Sequence, residues 1–229
     1  MMTEHSYKHK IDKLKQFLKN APQVRNFNKG RFGVHIVHFP SLKNERTVTC
    51  ESTIEADFAL RLEHDQNVLG YRCQPETFSF YINDCAYSYT PDFLVYFDDF
   101  KEVYYEVKPN DWDLDTQLAE RLPEITELLH KQGKTFEVIT ESEIRPEPFI
   151  SNLNQLYPRI HNIDEASIVH IRSCLKKLGG KTDIKSLRSL DPRPSEDAIM
   201  YALFFGPKLH IDKFRLTPKN SVELIEWPI

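Results

Sequence analysis

The chain has 229 residues and a mass of 27.0 kDa, which suits one large domain or a principal domain with a small companion. With 40% hydrophobic and 28% charged residues it should fold and stay soluble; no run approaches the ~18 apolar residues of a membrane span, and the opening MMTEHSYKHKIDKLKQF is too polar for a secretory leader, so a cytosolic location and no membrane partner are expected. The net charge of −4 excludes reading a nucleic-acid partner from the total and leaves that question to local patches.

One such patch opens the chain: Lys8, Lys10, Lys13, Lys15 and Lys19, then Arg25, Lys29 and Arg31, set against Glu4 and Asp12. Ile11, Leu14, Phe17 and Leu18 recur at helical spacing, so 6–19 is predicted as an amphipathic helix. Its basic outer face suits a phosphate backbone or plain water. Residues 20–50 carry little regular signal beyond Gly30, Gly33 and an extended run around 34–39. Ser52 then caps a predicted helix with Glu55 at its third position, the spacing of a capping box, and Ile54, Phe58, Leu60 and Leu62 form its inner side. Glu55 can be a cap or a ligand facing acids on a neighbouring element.

Residues 68–77 and 78–82 read as strands, and Asn83-Asp84 is a turn before the strand that leads into Asp92. The stretch YTPDFLVYFDDFKEVYYEVKP, from Tyr89 onwards, is the centre of the chain. Its apolar runs at 93–97 and 103–107, split by Asp98-Asp99, predict a β-hairpin. A period of two puts Glu106 and Lys108 on one face with Val107 pointing into a core. On these residues alone the pair is either a salt bridge on a wet sheet face or part of a site. Pro109-Asn110-Asp111 ends the strand, and 114–131 reads as a helix that tolerates Pro123 as a kink, with Gln117 early enough to reach the same cleft. Gly133 stops it, and TFEVIT at 135–140 is a further strand, able to join in parallel through the helical crossover. The sum is an α/β fold, a mixed-sheet core flanked by helices and ending near 142.

Pro146, Pro148 and Pro158 mark 142–158 as a connector, so the expected division is 1–158 and 159–229. Helices follow at 164–178, closed by Gly179-Gly180, at 184–190 and at 195–205, capped by Ser195 with Glu196-Asp197 in its first turn. Strands at 214–217 and 222–227 then flank a turn at Pro218-Lys219-Asn220. That is the order of elements in a winged helix, with 195–205 in the recognition position and Lys219 at the wing tip. The recognition helix, SEDAIMYALFF, has no arginine or lysine for a base edge, which favours protein docking over sequence reading.

Hydrolysis of a phosphodiester needs a divalent cation, an activated water and a way to expel the leaving alkoxide. Magnesium favours carboxylates, carbonyls and retained waters; Asp92 and Glu106 supply two anchors, and the Val107 carbonyl between Glu106 and Lys108 is a third candidate. Lys108 can position or help deprotonate the attacking water, or stabilise developing negative charge. Glu55 can complete the shell. Other tempting residues are ordinary: His35 and His38 lack a third zinc ligand, Cys50, Cys73, Cys85 and Cys174 read as buried free thiols, and Trp112 closes a core edge or touches DNA.

Pro91-Asp92 with Glu106-Val107-Lys108 resembles the PD-(D/E)xK signature of restriction-endonuclease-like nucleases. More of the chain resembles one family, the TnsA endonuclease subunit of heteromeric cut-and-paste transposases. The matching pieces are Phe39-Pro40-Ser41-Leu42-Lys43, Glu51-Ser52 through Glu55 and Asp57-Phe58, Tyr89-Thr90-Pro91-Asp92-Phe93, Tyr105-Glu106-Val107-Lys108, and Ile139-Thr140 through Glu143-Ile144-Arg145 to Asn152-Leu153. The C-terminal third resembles the family's winged-helix-like domain only in its order of elements. The resemblance implies that Glu55, Asp92 and Glu106 bind divalent metal, Mg2+ with Mn2+ as a substitute, and that Lys108 assists catalysis. Some members carry glutamine where this chain has Glu106. It further implies cleavage at the 5' ends of a transposon, with transposon-end DNA, a DDE-type transposase subunit and an AAA+ ATPase regulator as partners, in a bacterial cytoplasm and on the nucleoid when assembled. A restriction-like or junction nuclease acting alone, and a DNA-binding scaffold that keeps a nuclease fold without catalysis, are the competing readings.

Overall fold

The structure is a computed structural model that describes residues 4–22, 35–82, 85–112, 117–206, 215–216 and 225–226. It divides into two compact units, Met1–Ile144 and Arg145–Ile229.

The first unit opens with helix α1, Glu4–Asn20, slightly longer than its periodicity predicts. A hairpin of β1, Val37–Ser41, and β2, Arg46–Cys50, follows. Helix α2, Thr53–His64, begins at the predicted Ser52 cap. Then come β3, Val68–Cys73, the hairpin β4, Phe78–Ile82, with β5, Cys85–Tyr89, and the central hairpin β6, Phe93–Phe97, with β7, Glu102–Lys108. Helix α3, Gln117–Lys131, carries Pro123 inside it and leads to β8, Thr135–Thr140, and the short α4, Glu141–Ile144.

The main sheet runs β3-β6-β7-β8. Its first three strands are antiparallel, and β8 joins β7 in parallel through α3, so the sheet is mixed and flanked by helices as the sequence predicts. Such an arrangement is consistent with a restriction-endonuclease-like core. β4 and β5 form a separate two-stranded sheet. Alternation along the strands sorts the core into two layers. Leu94, Tyr104 and Phe136 face Leu122, Ile125 and Leu129 of α3, joined by Phe78, Phe80 and Tyr89 of the β4–β5 hairpin. On the other face, Phe58 of α2 meets Phe93 and Tyr105 edge-on, at 5.0 and 5.2 Å between ring centroids. Burying a phenylalanine of this kind stabilises the fold by roughly 1.5–3 kcal/mol.

The β1–β2 turn is locked to α2 and β3 by polar contacts that no periodicity signals. Glu63 of α2 is wholly buried and accepts hydrogen bonds from Ser41 Oγ (2.5 Å), the Lys43 amide (3.1 Å) and Tyr71 OH (2.9 Å). Lys43 Nζ donates to the carbonyls of Asp65 and Val68, and the Asn44 side chain pairs with the backbone of Tyr71 in both directions. Helix α1 lies on β3 at Gly70, where a Cβ would stand 2.4 Å from Leu18 Cδ1 and 2.8 Å from Asn44 Oδ1, so any side chain there would force these neighbours to shift. At the far end of α1, Tyr7 packs edge-on against Phe100 of the β6–β7 turn, and Lys10 Nζ lies 4.9 Å from the same ring.

The second unit corrects the expectation of a connector at 142–158. Residues Phe149–Leu156 form helix α5, followed by a 3-10 turn at Tyr157–Arg159. Pro148 stands at the helix's N-cap position and Pro158 in the turn after it, so the prolines bracket a helix rather than exclude one. Helices α6, Glu165–Lys177, α7, Ile184–Arg188, and α8, Glu196–Phe205, are each capped by a side chain: Ser195 as predicted, and Asp164 and Asp183 besides, accept from the amides of Ala198, Ser167 and Ser186. Gly179 and Gly180 adopt positive φ where α6 ends. A two-residue strand between α6 and α7, β9 at Lys181–Thr182, pairs antiparallel with β10 at Ile225–Glu226. Helix α8 buries Ala198, Ile199, Ala202, Leu203 and Phe204. Most of the predicted terminal hairpin, with Lys219 and Trp227, lies outside the described residues, as do Arg25, Lys29, Arg31 and both loop glycines at 30 and 33. Among the described residues no helix is long and apolar enough to cross a membrane. Three of the four cysteines are buried and all are free; Cys85, contrary to expectation, is exposed.

Candidate functional site

The ladder between β6 and β7 ends on the pair Phe93–Tyr105, so one step further Asp92 stands opposite Glu106. Asp92 Oδ2 accepts a hydrogen bond from the Val107 amide at 2.8 Å, which closes the mouth of the hairpin. Two carboxylates on one face at opposed positions repel each other and persist only with compensation. Glu106, 4% exposed, finds it in two donors: Tyr89 OH at 2.5 Å on Oε2 and Lys108 Nζ at 2.6 Å on Oε1. The expectation that Glu106 and Lys108 share a face is met, and both side chains of this ion pair are largely buried. Lys108 Nζ also sits 5.7 Å from the Trp112 ring, which packs against the α3-side core.

Glu55 arrives from the first turn of α2. The sequence left it as either cap or ligand, and its geometry is that of a cap whose carboxylate borders the site. Ser52 Oγ accepts from the Glu55 amide at 3.0 Å, and Glu55 Oε2 reaches back to the Glu51 amide at 2.8 Å. Its other oxygen accepts from Ser52 Oγ at 3.2 Å. Burial lifts the Glu55 carboxyl from 4.5 to about 7, with Glu51 and Glu106 adding to the rise. Asp92 is held well above the ordinary carboxylate range, first by burial and then by the charges of Glu106 and Glu55. Burial, and then the Glu106 charge, push the Tyr89 phenol far up, so it stays a hydrogen-bond donor.

Three acids therefore converge with one ammonium at the end of the central strands. Their hard oxygens are of the kind a divalent cation such as magnesium takes. The neighbouring Cys73 thiol is kept neutral, chiefly by its hydrogen bond with Cys50 and by burial, and supplies no thiolate. Yet among the described residues no group of three or more His, Cys, Asp or Glu side chains stands ready to hold a metal ion. The hydrogen bonds explain why: Glu55 is turned to its own helix end and Glu106 to Tyr89 and Lys108. The donor chemistry fits a hard cation.

Two residues escaped the sequence reading. Tyr89 signalled itself only by standing at the head of the central stretch. Gln74 had no signal at all: it is fully buried, its backbone amide donates to the Asp92 carbonyl at 2.8 Å, and its side-chain Nε2 lies 3.4 Å from Glu55 Oε2. Its Oε1 is buried without a hydrogen-bond partner. The side chain of Gln117 lies outside the described residues. The rings of Tyr104 and Tyr105 both pack, one on each face of the sheet.

No curated protein matches this sequence. Residues 65–141, the stretch from the approach to β3 through the end of β8, match the family model described as TnsA-like endonuclease N terminal, and this similarity supports a nuclease-family function for the core that carries Asp92, Glu106 and Lys108.

Proposed function

We propose that the chain is the DNA endonuclease subunit of a heteromeric transposase, hydrolysing phosphodiesters at the 5' ends of the element during excision. The observation that carries this reading is the convergence of Asp92, Glu106, Lys108 and Glu55 on one end of the central hairpin, with the Asp92 and Glu55 carboxyls both pushed up, first by burial and then by neighbouring acids. Carboxylates crowded in this way gain by exchanging protons for a cation. A divalent ion, Mg2+ with Mn2+ as a substitute, would be held by Asp92, Glu106, Glu55 and the Val107 carbonyl, and would offset phosphoryl charge and acidify a bound water. The remaining work falls to the chain's own groups. Lys108, ion-paired to Glu106 and backed by Trp112, directs an ammonium towards the reacting phosphate, where it orients the attacking water or meets charge developing on oxygen. Tyr89 fixes the rotamer of Glu106 from behind.

Partners follow from the same reading: transposon-end DNA, a DDE-type transposase for the 3' ends, and an AAA+ ATPase regulator. The second unit acts as a winged-helix-like docking module. Its α8 supports that role, because it buries half its residues and offers no arginine or lysine to a groove.

The test is strand-specific cleavage of labelled transposon-end DNA by the reconstituted pair in magnesium, comparing the native chain with Asp92→Ala. Loss of only the 5'-end cuts is expected. Unaltered cuts on both strands, with assembly intact, would assign the chemistry to the partner and leave this chain a scaffold.

A further inference from the structure

We propose that Gln74 belongs to the cation site: its amide nitrogen holds Glu55 while its amide oxygen faces the shell of the divalent ion. The inference rests on the reading of the carboxylate cluster as a metal site and adds a residue to it that no part of the nuclease signature contains.

Gln74 follows Cys73, the last residue of β3, where Cys73 pairs with Phe93. Its φ of 39° lies in the left-handed region that side-chain-bearing residues seldom adopt. That turn brings its backbone amide onto the Asp92 carbonyl and its side chain onto Glu55, so one residue touches both walls of the cluster. The orientation of the amide follows from chemistry. Glu55 Oε2 already acts as an acceptor, taking the Glu51 amide, so it is the NH2 group of Gln74 that faces it. The oxygen on the same carbon is then left buried with no donor. A buried carbonyl oxygen without a partner is a penalty that an apolar side chain of equal volume would avoid. Backbone strain and an orphaned acceptor at one residue, between two acids, point to a function for that oxygen. An amide oxygen is a hard, neutral donor, and it adds a ligand without adding charge to a site that already holds three carboxylates.

The experiment titrates Mn2+ into the full chain without DNA, following loss of the free ion's paramagnetic resonance signal, alongside thermal midpoints in EDTA. Gln74→Met keeps the volume and removes the amide; it should weaken Mn2+ binding by ~10–100-fold while the EDTA midpoint holds or rises. Gln74→Glu places a charged oxygen at the same point and should tighten binding. Affinity of Gln74→Met within about twofold of native, when Asp92→Asn has lost binding, would overturn the inference. Binding by Asp92→Asn equal to native would instead remove the metal site, and this inference with it. Should Gln74→Met fail to fold, Gln74→Glu decides alone: binding no tighter than native refutes the role.

Discussion

Glu55→Gln should make the metal-free protein more stable, and by an amount that depends on pH. Burial raises the folded-state value of this carboxyl from 4.5 to about 7, so between those limits the folded chain holds more protons than the unfolded one. Stability contributed by the group therefore falls as pH rises through that window. The cost is absent below 4.5 and complete above about 7. At ~1.4 kcal/mol per pH unit the full difference is at most ~3.5 kcal/mol, equivalent to ~7–14 °C in the melting midpoint of a unit this size. Glutamine keeps an oxygen for the Glu51 amide and so preserves the cap. Thermal melts of the native chain and the variant in EDTA, across the acid to neutral range, should converge at low pH and separate towards neutrality. Added Mg2+ should raise the native midpoint and leave the variant nearly unmoved. Parallel curves, or a variant less stable than native at neutral pH, would refute the account of Glu55 as a strained acid bordering a cation site.

Two further substitutions probe the supports of the site. Tyr89→Phe strips Glu106 Oε2 of its phenolic donor, so chemical denaturation should show a loss of ~1–3 kcal/mol and single-turnover cleavage should slow by ~10-fold or more; native rates would show that Lys108 alone orients the carboxylate. Gly70→Ala drives a methyl into Leu18 and Asn44 and should cost ~1–3 kcal/mol, read by denaturation, with part of the loss restored in the double variant Gly70→Ala/Leu18→Ala; an undisturbed single variant would mean that α1 does not press on β3.

Much of the core was legible because local signals agreed with one another. The Ser52–Glu55 spacing announced the start of α2, the alternation through 93–108 announced the central hairpin, and a helix before TFEVIT required a parallel return. Asp92, Glu106 and Lys108 could be named for the same reason, since a period of two fixes which side chains share a face. What stayed hidden depends on contacts across the chain. Glu63 reads as a solvent-facing acid until Ser41, Lys43 and Tyr71 fold over it. The β1–β2 hairpin is masked by Pro40 and by polar residues that are buried through hydrogen bonds rather than apolarity. Helix α5 is masked by its flanking prolines. Gln74 acquires meaning only from its backbone dihedral and from what surrounds its amide, and neither is written in neighbouring letters.

The pairing of Asp92 with Glu106 across the ladder also explains why the distance between the two halves of the nuclease signature is such a poor guide to it. A hairpin can be lengthened by one residue in each arm, and the acids at its open end still face each other on the same side of the sheet. Adding a single residue shifts one arm against the other and carries the acid, or its partner, to the opposite face unless a bulge absorbs the excess. Residues added in the turn between the arms move neither acid, so the gap records the lengths of two arms and a turn while the site at the open end stays the same.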